Sequence, residues 1–199
     1  MALVHRRTEV HMTESNLIDY ASLVREIGSE CAFIRVSGEL LLSGSKSGEV
    51  ACWELSSGNE MWRSKFEGPC SHADSDKDFL FVTESDRVHA IMMTSGYEAW
   101  CVELEGSSDL VKVTSEGILV TSSVYNFEIQ DYSEGSIWKI DYSGKVRWKL
   151  DTVGRAWSLS DFQGQAVIGL SRPKCGYAIA SETGIEYHEL EEKKPVTAG

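Results

Sequence analysis

One short unit occurs four times in this chain, and its recurrence limits the fold more than any other feature. It reads V-A-C-W-E-L-S-S-G-N-E-M-W at Val50–Trp62 and V-H-A-I-M-M-T-S-G-Y-E-A-W at Val88–Trp100. It returns, one residue shorter, as I-W-K-I-D-Y-S-G-K-V-R-W at Ile137–Trp148, and as Y-A-I-A-S-E-T-G-I-E-Y-H at Tyr177–His188. Each copy holds a short apolar strand, a turn of small residues closed by glycine, and a second strand opening on an aromatic residue. The turn glycines Gly58, Gly96, Gly144 and Gly184 stand 38, 48 and 40 residues apart, the period of four-stranded propeller blades and not of helical repeats.

Around these units the chain divides into short strands separated by glycine and serine at intervals of about 8–12 residues, an antiparallel all-β pattern. The first repeat predicts strands near Cys31–Val36, Glu39–Ser43, Glu49–Leu55 and Glu60–Phe66, and the second near Cys70–Ala73, Phe79–Thr83, Arg87–Met93 and Glu98–Leu104. The third takes Leu110–Thr114, Gly117–Ser123, Ser136–Asp141 and Lys145–Leu150, with its excess length at Val124–Glu134. The fourth takes Ala156–Ser160, Gln165–Leu170, Gly176–Ala180 and Ile185–Glu191. The expected organisation is a disordered tail at 1–12, a helix or outer closing strand within 13–30, a four-repeat half-propeller domain at 31–192, and a second disordered tail at 193–199. Over Asn16–Ile27, Leu17, Tyr20, Ala21, Val24 and Ile27 have helical spacing. The repeat gives the other reading, because Gly28, Gly68, Gly106 and Gly154 are 40, 38 and 48 residues apart and place Leu23–Ile27 as an outer strand.

These copies resemble the repeat of the PQQ-like propellers, the quinoprotein alcohol dehydrogenase-like superfamily, whose pattern is roughly strand, y-A-l-d-a-x-T-G, two or three residues, W. Tyr177–Gly184 is similar to it throughout, Val88–Trp100 through Ala90, Gly96 and Trp100, and Gly44–Val50 looks like the entry to the third strand. The resemblance implies that Trp62, Trp100 and Trp148 dock each blade on the next, and that His188, which departs from the pattern, weakens the last blade. Packing physics agrees: a small residue such as Cys52, Ala90 or Ala178 lets blades approach, and a flat ring fills the wedge.

Propellers of that kind usually have about eight blades, and this chain supplies four. An open arc would leave strand edges and apolar faces bare. The expectation is a homodimer closing one ring, with a four-bladed monomer, a capped arc or a piece of a longer parent as the alternatives.

Charge and cysteine usage narrow the partners. With 31 acidic against 19 basic residues the net charge is −12, which disfavours nucleic acid and anionic lipid. No run reaches the ~20 apolar residues of a spanning helix, and the N-terminus lacks the apolar core of a secretory signal. The five cysteines, Cys31, Cys52, Cys70, Cys101 and Cys175, are odd in number with no C-x-x-C spacing. Both features point to the cytoplasm.

No catalytic, cofactor or metal site is expected. Asp74-Ser-Asp76-Lys-Asp78 opens like a calcium loop but has Phe79 and Ser85 where the glycine and the bidentate glutamate belong. It reads as an acidic hairpin turn. Gly44-Ser-Lys-Ser-Gly48 lacks both the spacing and the following helix of a phosphate loop. The five histidines, His5, His11, His72, His89 and His188, form no recognisable ligand set, and only His72 and His89 share a blade. A quinone-dependent dehydrogenase of the resembling superfamily would carry adjacent cysteines, and none are adjacent here.

The best candidate for contact is the insertion Val124–Glu134, V-Y-N-F-E-I-Q-D-Y-S-E, which gathers Tyr125, Phe127 and Tyr132 among acidic residues. The competing reading has it extending a hairpin and packing on its own blade. Arg172-Pro-Lys174 is a basic spot on the equivalent loop of blade four. The expected function is a non-catalytic scaffold binding a protein partner. The alternative is an enzyme or small-molecule binder in the central channel, where Glu84, Asp86 or Asp131 would converge.

Overall fold

The computed structural model describes residues 25–170 and 175–190. Among them sixteen strands form four antiparallel sheets of four, each sheet built from strands consecutive in sequence. Blade one holds β1 (Cys31–Ser37), β2 (Leu40–Ser45), β3 (Glu49–Glu54) and β4 (Glu60–Lys65). Blade two holds β5 (Cys70–Ser75), β6 (Phe79–Glu84), β7 (Arg87–Met92) and β8 (Glu98–Glu103). Blade three holds β9 (Ser107–Thr114), β10 (Gly117–Asn126), β11 (Asp131–Ile140) and β12 (Val146–Thr152), and blade four β13 (Ala156–Phe162), β14 (Gln165–Leu170), β15 (Gly176–Ser181) and β16 (Gly184–Glu189). The inner strands neighbour one another in the order β1, β5, β9, β13. The all-β architecture of propeller blades read from the repeat is the one observed.

A blade between two others must bury both faces of its middle strands, and the sequence supplies this. In β6, Leu80 and Val82 face blade one while Phe81 faces blade three, all fully buried. The cores therefore lie between blades. Phe33, Leu42, Val50, Cys52 and Trp62 meet Leu80, Val82, Ile91 and Met93 at the first joint. Phe81, Val88 and Ala90 meet Val111, Ile118, Val120 and Ile140 at the second. At the third joint Leu119 and Ile137 face Ala156, Ala166, Ile168, Ala178 and Ala180, so blade four contributes mainly alanine.

The four turns are not equivalent. Gly58, Gly96 and Gly144 have φ of 70°, 72° and 84° and close five-residue connections, whereas β15 and β16 join through Glu182 and Thr183 alone. That shorter turn shifts the register of the last blade. Ala178 points back at blade three, and Ile179 takes the place held by Cys52 and Ala90 in the earlier blades. The residue opposite Ile179 is Glu186, not His188, which instead stacks on Tyr177 with ring centroids 4.6 Å apart. The last blade therefore carries a carboxylate where the first three carry an indole.

Of the 13–30 segment, residues 25–30 are described, and they run without strand pairing. Arg25 Nε donates to the Gly58 carbonyl at 2.7 Å, as Ser64 Oγ of β4 donates to the Gly96 carbonyl at 2.6 Å. Ile27 is buried against Ala51 and Trp53, with Leu41 alongside. This segment thus lies at the outer edge of blade one, where a preceding blade would dock. Leu23 and Val24, the tails at 1–12 and 193–199, and Arg172–Lys174 lie outside the described residues.

Candidate partner-binding face

The insertion in blade three extends its central hairpin. β10 and β11 stay paired out to Asn126↔Asp131, with a bulge between Val124 and Tyr125. The Asn126 side-chain oxygen accepts the amides of Glu128 and Ile129 at 2.9 and 3.4 Å, an Asx turn that holds the tip. The bulge brings Tyr125 and Tyr132 side by side although they lie on different strands. Tyr125 meets Phe127 edge-on at 5.1 Å and Tyr132 edge-on at 5.2 Å. Phe127 remains 84% exposed, and Ile129 beside it is exposed too.

The cluster continues into blade four. The Arg155 guanidinium stacks over Tyr132 at 4.4 Å and over Trp157 at 4.9 Å. It is held there by Asp109, whose carboxylate lies 2.6 Å from Arg155 and accepts Ser123 Oγ at 2.6 Å. Burial pushes the Asp109 carboxyl above the usual carboxylate range, against the pull of Ser123 and Arg155. The result is a continuous face from the hairpin tip through Tyr125, Tyr132 and Arg155 to half-exposed Trp157.

Trp157 also lines a cavity of about 300 Å³ bordered by Arg35, His72, Asp74 and Lys112, so residues from all four inner strands border it. Asp74 is its centre. It pairs with Arg35 and, at 3.3 Å, with Lys112, and accepts the Val113 amide at 3.0 Å. Burial alone would raise its carboxyl; the Val113 amide, Arg35 and Lys112 outweigh that and hold it below the ordinary value. Burial, reinforced by Arg35, keeps His72 below the usual imidazole range. A carboxyl depressed in the fold adds stability above its unfolded value, and that stability disappears as pH falls through the folded one. Asp74→Asn should therefore lose about 1.5–3 kcal/mol at pH 7. It should also flatten the decline in melting temperature below about pH 4, which calorimetry across pH 2–7 would measure.

The channel carboxylates expected from sequence do not converge. Glu84 and Asp86 border a separate cavity of about 430 Å³ with Phe66, Arg87 and His89, and Asp131 sits at the hairpin tip opposite Asn126. Register is the reason: Glu84 ends β6 with its side chain on His89, 3.3 Å away. In the acidic turn, Asp76 accepts the amides of Asp78 and Phe79 at 2.8 and 2.7 Å, so this carboxylate closes the hairpin.

The docking indoles fall into two kinds. Trp62 Nε1 donates to the Met93 carbonyl at 2.7 Å, and its ring lies against Gly96, where an added Cβ would come within 2.7 Å of it. Trp100 repeats this with the Tyr142 carbonyl at 2.9 Å and Gly144. Trp148 lies half-buried at the third joint, and nothing stands within 4 Å of a Cβ built on Gly184. Its cross-strand neighbour is Lys139 where Trp62 has Cys52 and Trp100 has Ala90. Lys139 is buried, donates to Thr114 Oγ1, and is pushed below the usual lysine value by that burial. A polar cavity of about 600 Å³ with Lys139, Trp148 and Glu182 on its wall opens at this joint.

A family model described as outer membrane protein assembly factor BamB matches residues 21–184. The chain belongs to this BamB family. The family's match begins before β1, at the segment whose Arg25 bonds blade one, and ends at Gly184. No curated protein matches the sequence. Among solved structures, the chain is similar to BamB from Moraxella catarrhalis at 18% identity and a TM-score of 0.57, over 82% of this chain and 46% of that one. It is similar to the computationally designed Ika8 protein at 13% identity and a TM-score of 0.57, over 80% and 46%. With the computationally designed Ika4 protein it shares 14% identity and a TM-score of 0.58, over 84% of this chain and 99% of that one. The chain thus spans about half the length of BamB and Ika8 and the full length of Ika4.

Arg155 and Trp157 had no part in the sequence reading of the face. Their signal was R-A-W opening the inner strand of blade four, an indole outside the docking register of the repeat. The contact to Tyr132 depends on the fold, because the two strands belong to different blades.

Proposed function

We propose that this BamB-family chain is a non-catalytic scaffold that binds a protein partner through the Tyr125–Phe127–Tyr132 face, with Arg155 and Trp157 completing it. The observation that carries the reading is Phe127, 84% exposed yet held in an edge-to-face cluster on a hairpin closed by an Asx turn. An aromatic fixed before binding loses little entropy on contact, which is the usual property of an interface anchor. The family's description as an assembly factor supports the same kind of role.

Self-association is the second part of the proposal. A four-blade chain matches the whole of Ika4 and about half of Ika8 or BamB, which supports two copies sharing one ring. The free thiols of Cys31, Cys52, Cys70, Cys101 and Cys175 support a reducing, cytoplasmic setting.

The test is affinity capture with the full chain and with a variant carrying Tyr125→Ala, Phe127→Ala and Tyr132→Ala. A partner that co-purifies with the wild type should fall at least tenfold with the variant, while far-ultraviolet circular dichroism stays the same. Equal capture by both would remove this face from the proposal. A metabolite retained by the native particle in mass spectrometry would instead favour the channel.

A further inference from the structure

We infer that His89, Glu98 and Cys101 of blade two form a binding site for a borderline divalent metal ion such as Zn²⁺. β7 and β8 pair so that His89 stands directly opposite Cys101, and the bulge at Ala90/Ile91 brings Glu98 to the same side. One ligand atom from each of the three lies within 4.8 Å of the others. A nitrogen, a carboxylate oxygen and a sulfur are the donors that zinc accepts together, with a solvent molecule in the fourth place of an open tetrahedron. Glu98 and Cys101 are exposed, so that place faces water.

The surroundings of His89 are those of a metal-bound imidazole. The ring is buried, and Phe66 stacks on it at a centroid distance of 4.2 Å, which fixes its plane. Its Nε2 lies 3.3 Å from the buried carboxylate of Glu84, which also accepts Ser85 Oγ at 3.0 Å. A carboxylate holding the far nitrogen is the common support of a ligating histidine, because it fixes the tautomer and leaves the near nitrogen free to bind. On the near side, Nδ1 and Glu98 Oε2 are 2.7 Å apart. Without an ion that contact is a hydrogen bond, and a bound metal would replace it by taking both atoms as ligands. With Zn–N near 2.0 Å and Zn–S near 2.3 Å the nitrogen and sulfur of a tetrahedral site stand about 3.5 Å apart. The donor atoms lie within 4.8 Å of one another, and Glu98 and Cys101, both exposed, are the side chains that adjust to that spacing.

The full-length, reduced and metal-stripped chain should be titrated with Co²⁺ and followed by absorption, and its Zn²⁺ affinity measured against a chromophoric chelator. One equivalent should bind, with a thiolate-to-cobalt charge-transfer band that Cys101→Ser abolishes. Glu98→Gln should weaken Zn²⁺ binding, and Glu84→Gln should do so about 10–100-fold while keeping the band. Glu98 and Cys101 are exposed, so their variants test the site without disturbing the core. Absence of stoichiometric binding by the wild type, or equal binding by Cys101→Ser, would overturn the assignment.

Discussion

Trp62→Ala is expected to lower the unfolding free energy by about 3–5 kcal/mol, and Trp148→Ala by clearly less, when both are measured by urea denaturation. Trp62 is buried among Val50, Leu80, Val82 and Ile91. Its removal empties the wedge at the first joint and leaves the Met93 carbonyl without its indole donor. Trp148 has Lys139 across the strand and no turn glycine under its ring, so part of its space already belongs to a polar cavity. Gly96→Ala provides a control from the other side of the contact. Its φ of 72° strains any L side chain, and the new Cβ would lie 2.7 Å from the Trp62 ring, so its cost should approach that of losing the indole. Equal losses for Trp62→Ala and Trp148→Ala would show that the joints are energetically alike and that the glycine cradle is irrelevant.

The difference between the joints also explains what the sequence could and could not convey. Strand order and blade boundaries were legible because each middle strand alternates between two buried faces and each turn has its small residues. The extra length at 124–134 was legible as an insertion carrying three aromatic residues, and the pairing out to Asn126↔Asp131 shows that it extends the hairpin. Turn length was the weak signal. Y-A-I-A-S-E-T-G is close to the repeat pattern, yet its turn is three residues shorter than the others, and Glu186 stands opposite Ile179 where the aromatic at 188 was expected. His89 was equally opaque. Its ligand set comes from a cross-strand neighbour, a bulge and the end of β6, none of which is a spacing along the chain. Arg155 is similar, joining Asp109, Tyr132 and Trp157 from three strands.

The native particle is expected to have about twice the chain mass of 22.1 kDa, and the double substitution Ile34→Glu, Val36→Glu should return it to the mass of one chain. On β1 these two residues are 64% and 65% exposed. They pair across the sheet with Ser43 and Leu41, on the face of blade one turned away from blade two, beside Ala51 and Trp53. Among the described residues, Ile27 packs on Leu41, Ala51 and Trp53, and Ile34 and Val36 remain exposed beside them. Blade four ends in a matching surface: Val167, Tyr177 and Ile179 are only half-buried on the face opposite its alanine-rich side. If blade four of one copy meets blade one of the other, the contact repeats at both joints and a two-fold axis closes the ring. Each large aliphatic side chain fully buried there contributes about 1.5–3 kcal/mol, and a carboxylate in its place reverses the sign by desolvation. The tight turn at Glu182–Thr183 and the absence of an indole on that last face predict that these two joints are weaker than the first and second, so the particle should dissociate on dilution before its blades unfold. A wild-type particle of single-chain mass at micromolar concentration would rule out the shared ring, and leave the segment at Arg25–Ile27 as the cap of blade one.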